Sequence, residues 1–386
     1  MLRYLPLLAK NCWRNRRRTI LTIASIGISM CLLGVMVGMF QAFYLNPPSA
    51  DQAMRLITRN RVSIATAIPL SYQTRILQVP GVREVMIYNW FGGTYKDSRD
   101  PRNNFPRLAV EPAKLFKIFS EFRIPDDQRK AFEHERTACV IGHDLANDFN
   151  LHLGDRIHLA GSIYPGDFEL TVRGIFDSPR ISRVLFFDKE YVDQAIPEVR
   201  RGFVSMFEVR IDDPQHSGRI AKAIDDLFRN STAGTKTESE QAFFVGFLAL
   251  LGNVKMFLIG ISAAIMFTIL LVSANTMAMS VRERVREVGV LKTLGFSPGT
   301  ILGLILGEAC SISIAGGIIG YLISTVLMVG VSRSPFGGFL GSIHFFEPWV
   351  ALVCVLLAGS IGLLSSLVPA LGASRATIVD ALRTTE

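Results

Sequence analysis

His143, Asp144, His152 and His158 fall close together in the 386-residue chain, and they are the first side chains in it that could hold a metal. A metal site needs three or four ligands converging at fixed geometry. His152 and His158 instead flank a Gly154-Asp155 turn that leads into a strand, the pattern of solvated surface histidines, so no metal is expected. The sequence holds no GxSxG, HExxH or Ser-x-x-Lys arrangement, and no catalytic residue is assigned. GxxxxGK[ST] is absent as well, so the chain does not bind ATP through a P-loop of its own and no directly bound cofactor is expected. Glu308 stands out by its surroundings, about two turns inside a long apolar run, where an ionisable group is a functional candidate by default. The alternative is a Glu side chain that reaches an interfacial Arg or water.

A second kind of chemistry is mechanical. The stretch VRERVREVGVLKTLGFSPG, residues 281–299, is a charged segment lodged between two long apolar runs. As a helix it puts Val281, Val285, Val288, Leu291 and Leu294 on one stripe and Arg282, Glu283, Arg286 and Glu287 on other faces. Gly295 suits the left-handed end of that helix, and Ser297 with Pro298 supplies the cap and first residue of the next. The reading is helix, sharp corner, helix.

The elements that position these residues follow from composition. With 49% hydrophobic and 19% charged residues, the chain is too apolar for an ordinary soluble protein and too charged to lie wholly in lipid. Four runs reach the roughly 20 apolar residues that cross a bilayer: 19–44, 245–280, 301–331 and 348–368. The division expected is a basic amphipathic segment 1–18, a first transmembrane helix 19–44, an external domain 45–242, a stalk with the second helix 243–280, a cytoplasmic helix 281–297, a third helix 298–331, a short external loop 332–347, a fourth helix 348–368 and a tail 369–386. The fold class is thus an α-helical membrane protein with four transmembrane helices and a large α+β extracytoplasmic domain between the first and second. The first run is longer than a signal peptide's apolar region and lacks a clear cleavage site. Gly34 with Gly38, and Gly316 with Gly320, are small-xxx-small pairs that let another helix approach.

Net charge of +8 hints at nucleic acid, but its location excludes that partner. Acidic and basic residues cancel between Leu45 and Ala242, and the excess collects at Arg3, Lys10, Arg14 and 16–18, at Arg282, Arg284, Arg286 and Lys292, and near Arg375 and Arg383. The positive-inside rule makes that side cytoplasmic, with both termini inside and the external domain beyond the inner membrane. Of five cysteines, Cys12, Cys31, Cys310 and Cys354 lie in or beside spans, so Cys139 has no disulfide partner in the external domain. That domain reads as strands near 61–65, 83–90, 107–110, 137–141, 156–160, 168–176 and 204–211, with helices near 70–78, 188–195 and 214–228. A subdomain inserted at 93–201 is one reading of this pattern.

The arrangement resembles the MacB/FtsX-like permeases of type VII, or mechanotransmission, ABC transporters. The likeness rests on Arg282-Glu283-Arg284-Val285-Arg286-Glu287-Val288-Gly289-Val290-Leu291-Lys292-Thr293-Leu294-Gly295, on Gly307-Glu308-Ala309, and on Pro369-Ala370 with Ala381-Leu382-Arg383. Val140-Ile141-Gly142 through Leu151, Gly154-Asp155-Arg156-Ile157 also looks like the family's external core. The resemblance implies that Arg284, Glu287, Gly289, Lys292 and Gly295 sit at or near an ATPase contact. It also implies a homodimer or a heterodimer with a related permease. In MacB the ATPase is fused ahead of the first span, whereas this chain starts almost at the membrane, so a separate ABC ATPase subunit using ATP and Mg is expected. A periplasmic adaptor and membrane lipids are compatible partners. The function implied is a permease subunit that converts ATP binding and hydrolysis into movement of its external domain, exporting a hydrophobic, peptide or lipid-like cargo. The alternative is a non-transporting complex that signals to a cell-wall hydrolase or sensor kinase.

Overall fold

The computed structural model describes residues 16–45, 48–178, 181–250, 253–332, 348–375 and 377. Most of the segment 1–18, the loop at 333–347 and most of the tail fall outside the described residues. Two compact units form, one holding the four long helices and the other the α/β segment that lies between the first and second of them in sequence.

In the helical unit, α1 (Arg16–Phe40) ends in a π-helical turn, Gln41–Leu45. The α/β unit begins with α2 (Ala50–Ala53), β1 (Arg55–Asn60), β2 (Ile68–Pro69), α3 (Tyr72–Leu77), β3 (Val82–Trp90), β4 (Thr94–Tyr95) and β5 (Arg107–Val110). It continues through α4 (Pro112–Ile118), α5 (Asp126–His134), β6 (Ala138–Gly142), α6 (His143–Phe149), β7 (Arg156–Gly161), β8 (Gly166–Phe176), β9 (Leu185–Asp188), α7 (Lys189–Ala195) and α8 (Glu198–Arg201). β10 (Phe203–Val204), β11 (Met206–Ile211), α9 (Ser217–Leu227), β12 (Thr235–Ser239) and α10 (Glu240–Leu250) complete it. The chain then enters α11 (Val254–Glu283), α12 (Val285–Thr293), α13 (Pro298–Ser332) and α14 (Pro348–Arg375).

The α/β unit is organised on one ten-stranded sheet, in the order β12-β1-β11-β3-β5-β9-β6-β8-β7-β4. β6, ACVIG, is buried throughout, because a central strand covered on both faces needs a continuous apolar run. Its Cys139 and Ile141 enter one core with Phe91, Leu170 and Phe187, while Ala138 and Val140 enter another with Phe132, Phe176 and Phe186. β8 alternates, with Phe168, Leu170, Val172 and Phe176 buried, as a period of two requires. A third core joins β1, α3, β3, β11 and α9 around Phe207, Ile224 and Phe228. The segment 93–201 carries its own cores, yet its strands continue the same sheet where Tyr88, Asn89 and Trp90 of β3 pair with β5.

Two local expectations are corrected, and the 243–280 stretch divides into its parts. The first strand lies at Arg55–Asn60 rather than at 61–65, because Arg55 and Arg59 are sheltered there in ion pairs and read as surface charges in the sequence. The 243–280 stretch is two helices, α10 and α11, and Asn253 starts the second by accepting the Met256 amide at 3.1 Å on its side-chain oxygen. The fourth helix runs through Pro369 to Arg375 instead of stopping at 368. Proline costs one helical hydrogen bond, which the flanking turns tolerate inside a packed apolar bundle.

The helical unit contains four helices long and apolar enough to cross a membrane. α13 interlocks with two neighbours through small residues. A Cβ at Gly320 would stand 2.6 Å from the Gly27 carbonyl oxygen of α1, and one at Gly316 would stand 2.8 Å from Ile26. Gly34 lies against Ser324, where a Cβ would meet the hydroxyl at 2.6 Å, and Gly38 is buried nearby on the same helix. Gly34, Gly316 and Gly320 are therefore occupied by packing within this chain. On the other side, Gly317 faces Ala358 and Gly362 of α14 faces Ser313. A buried hydroxyl pair, Ser273 with Ser365 at 2.8 Å, ties α11 to α14.

Candidate functional site

The corner between α11 and α13 folds as the residue types dictate. Glu283 ends α11, and Arg284 adopts φ −106° and ψ 5°, breaking the helix before α12 starts at Val285. α12 closes on Gly295 at φ +90°, with the Gly295 amide donating to the Lys292 carbonyl and the Phe296 amide to the Leu291 carbonyl, both at 3.1 Å. That is the two-bond glycine stop, and it needs a residue without a Cβ at the left-handed position. Ser297 then accepts the Thr300 amide at 3.3 Å and Pro298 opens α13.

The two faces of α12 differ in burial. Val281 and Val288 are buried and Val285 and Leu291 half-buried, but Leu294, expected on the same stripe, is 70% exposed. Val290 is 48% exposed, and with Arg286 it forms a row at four-residue spacing, Arg286-Val290-Leu294, along the outer side of α12. This face was not among the residues the sequence singled out for contact, although the exposed spacing is there once the helix is started at Val285.

The sequence-singled residues separate into three positions. Arg284 and Glu308 meet each other: Arg284 Nη1 donates to Glu308 Oε2 at 2.5 Å, with the side chains 14% and 12% exposed. Glu308 thus reaches an Arg, and the Arg belongs to the same corner. Gly289 is buried on the inner side of α12, Glu287 and Lys292 are half-buried, and Gly295 is exposed at the stop. One ion pair therefore fastens the start of α12 to α13 about 15 Å along the helix from Pro298, using the usual rise per residue. A pair this sheltered contributes little net stability compared with an apolar pair, but losing Arg284 strands the Glu308 carboxylate at roughly 3 kcal/mol. It is a latch in geometry, joining α12 to α13. α13 in turn is meshed with α1 and α14 through the glycines above.

The histidines do not come together. His143 heads α6 on the surface, His158 points out from β7, and His152 is exposed with its ring 3.8 Å from the Asp155 carboxylate. Among the described residues, no group of three or more His, Cys, Asp or Glu side chains could hold a metal ion. Cys139, at the centre of β6, is fully buried, and burial pushes its thiol well above the usual range.

Residues 19–227 match the model of the MacB-like periplasmic core domain, and 259–378 match that of the FtsX-like permease C-terminal domain. The chain belongs to the MacB/FtsX-type ABC transporter permeases. An uncharacterised ABC transporter permease of Methanocaldococcus jannaschii is 23% identical across 97% of this permease and 96% of its own length. The macrolide export ATP-binding/permease protein MacB of Rhodopirellula baltica is 34% identical over 28% of this permease, which spans only 15% of that protein. The crystal structure of the periplasmic region of MacB from Actinobacillus actinomycetemcomitans aligns at a TM-score of 0.39 and 11% identity, covering 50% of this permease and 94% of that structure. The permease is a multi-pass membrane protein, and its α/β unit is the extracytoplasmic domain between the first two membrane helices.

Proposed function

We propose that this permease is the moving membrane part of an ABC machine, with α12 as the element an ABC ATPase grips. The observation that carries the reading is the corner itself: a short helix with an exposed Arg286-Val290-Leu294 row on one side and, on the other, an ion pair to α13. An apolar row on a basic surface favours a protein partner, and the lack of a P-loop motif in these 386 residues supports a nucleotide site on a separate subunit. Movement of α12 passes through Arg284–Glu308 to α13 and through the interlocked glycines to α1, the helix that precedes the extracytoplasmic domain in sequence. The excess of arginine and lysine at the corner favours the cytoplasmic side of the inner membrane for it and for both termini.

In the same reading ATP and Mg act at the ATPase, the permease works as a pair of like or related subunits, and the cargo is hydrophobic, peptide or lipid-like. The membrane helices carry few buried ionisable groups, which favours a cargo moved by the extracytoplasmic domain over one led through a hydrophilic conduit. The named export activity of the MacB relatives agrees with this.

The test is reconstitution with the ABC ATPase purified alongside the permease from its native host. Permease-stimulated ATP hydrolysis is expected, and Leu294→Asp should abolish the stimulation while leaving the permease folded. Burial of a Leu side chain supplies roughly 2 kcal/mol, so binding should weaken about 30-fold. Undiminished stimulation by Leu294→Asp and Val290→Asp would remove α12 from the contact. Stimulation by a cell-wall enzyme or sensor kinase, and by no small or lipid-like compound, would replace transport with signalling.

A further inference from the structure

The extracytoplasmic domain buries more negative charge than it neutralises at one point. Arg55, the first residue of β1, is 2% exposed and lies between three carboxylates. It donates from Nη1 to Glu121 at 3.0 Å and from Nε to Glu240 at 3.0 Å, while Glu208 of β11 stands 4.0 Å away. Glu121 and Glu240 keep contact with water, at 17% and 16% exposure, but Glu208 is 1% exposed and its Oε1 has no hydrogen-bond partner. Phe119 closes the site, its ring centre 4.6 Å from the Arg55 guanidinium carbon.

Other charges around Glu208 are committed elsewhere. Arg59 of β1 pairs with Glu238 of β12 at 2.9 Å. Arg210 of β11 donates to the Ile118 carbonyl at 2.7 Å and lies 3.6 Å from Asp51. From α4, Lys114 holds Glu111 at 2.9 Å, and β3 contributes Glu84, opposite Arg210, and the half-buried phenol of Tyr88. Arg55 thus serves three carboxylates, and of these Glu208 alone is shut away from water. A carboxylate so buried, 4.0 Å from the guanidinium and with an oxygen that accepts no hydrogen bond, is the one whose neutral form the site favours.

We propose that Glu208 is a proton-binding site of the extracytoplasmic domain, occupied in neutral medium, and that its ionisation in alkaline medium draws Arg55 off Glu240. The two residues that would part are well placed to matter. Arg55 opens the first strand after the first membrane helix, and Glu240 opens α10, which leads to the second. With Glu208 neutral, Arg55 is free to hold both outer carboxylates. With Glu208 charged, the buried anion competes for the guanidinium, and Glu240 has water to turn to.

The sign follows from burial. Desolvation first, and then the Glu240 charge, raise Glu208 well above an ordinary value of 4.5, against the opposing pull of Arg55. The unfolded chain sheds this proton near that ordinary value, whereas the folded domain keeps it to higher pH. Glu208 therefore contributes its full stability below about 4.5, and that contribution is lost as pH rises through the folded value.

The experiment uses the full-length permease in lipid nanodiscs and infrared difference spectra recorded across pH. A protonated-carboxyl stretch should be present in the wild type at neutral pH, missing from Glu208→Gln, and lost as the wild type is made alkaline. Glu240→Gln removes a neighbouring charge and frees Arg55, so it should move that loss to lower pH. Hydrogen exchange over 235–250, corrected for intrinsic rates, should rise at least tenfold in alkali in the wild type and stay flat in Glu208→Gln. A stretch unaffected by Glu208→Gln, or a loss that Glu240→Gln leaves in place, overturns the proposal. If Glu208→Gln does not fold, the Glu240→Gln shift alone decides it.

Discussion

Separating Arg284 from Glu308 is the perturbation that bears most heavily on the latch. The two side chains meet at 2.5 Å with 14% and 12% exposure, so Glu308→Gln removes the carboxylate that Arg284 holds across the corner. Breaking such a pair costs roughly 3 kcal/mol, and Arg284→Gln should cost a similar amount because Glu308 is then stranded. The double variant replaces two charges by two neutral amides and should cost far less than their sum, giving a coupling energy of about 2 kcal/mol in a double-mutant cycle. If that energy holds α12 seated on α13, each single variant shifts the seated population about 30-fold. The cycle is to be read twice on the purified permease: as free energy of reversible unfolding in mixed micelles, and as ATPase stimulation in the reconstituted complex. A pair with only a structural role would move the first and spare the second. Additive losses, with a coupling below about 0.5 kcal/mol, or full stimulation by Glu308→Gln, would refute the latch.

Other expectations are local. Gly320→Leu should destabilise the helical unit and abolish coupled hydrolysis, since even a Cβ there would stand 2.6 Å from the Gly27 carbonyl, and normal activity would deny the interlock of α1 with α13. Gly142→Ala places a methyl 2.1 Å from the Ser182 carbonyl oxygen and should cost the extracytoplasmic domain about 1–3 kcal/mol in thermal or denaturant unfolding. Cys139 should resist maleimide in the native permease and react only after denaturation, because it is fully buried and its thiol is held protonated. Labelling without denaturation would mean that β6 opens.

The corner at 281–299 was legible because its signals are local. The Gly295 stop and the Ser297-Pro298 start depend on residues within one turn of each other, and the structure has both. The helix phase was not: Leu294 follows Val285 by nine residues, about half a turn round the helix axis, so it faces away from the Val285 side and into solvent. The partner of Glu308 lies 24 residues away, across the corner, and no periodicity reports such a contact. β6 and β8 announce themselves by a buried run and by alternation, whereas β1 hides behind Arg55 and Arg59, whose charges are neutralised by residues far along the chain. β12, TKTES, is polar in sequence and becomes a strand through the Asp225 carboxylate, which accepts from the hydroxyls of Thr235 and Thr237, and through pairing with β1. The family resemblance reached the four-helix plan and the external domain, but the Arg286-Val290-Leu294 face emerged only from exposure.

The central claim is that α12 lies on the cytoplasmic side under the grip of an ATPase. Its most direct measurement is maleimide labelling of a cysteine introduced by Leu294→Cys, with a membrane-impermeant reagent, in intact cells and in inside-out vesicles with and without the ATPase. Labelling is expected in the vesicles alone, with protection there when the ATPase is bound. Labelling from outside intact cells, or labelling that the bound ATPase does not slow, would contradict it.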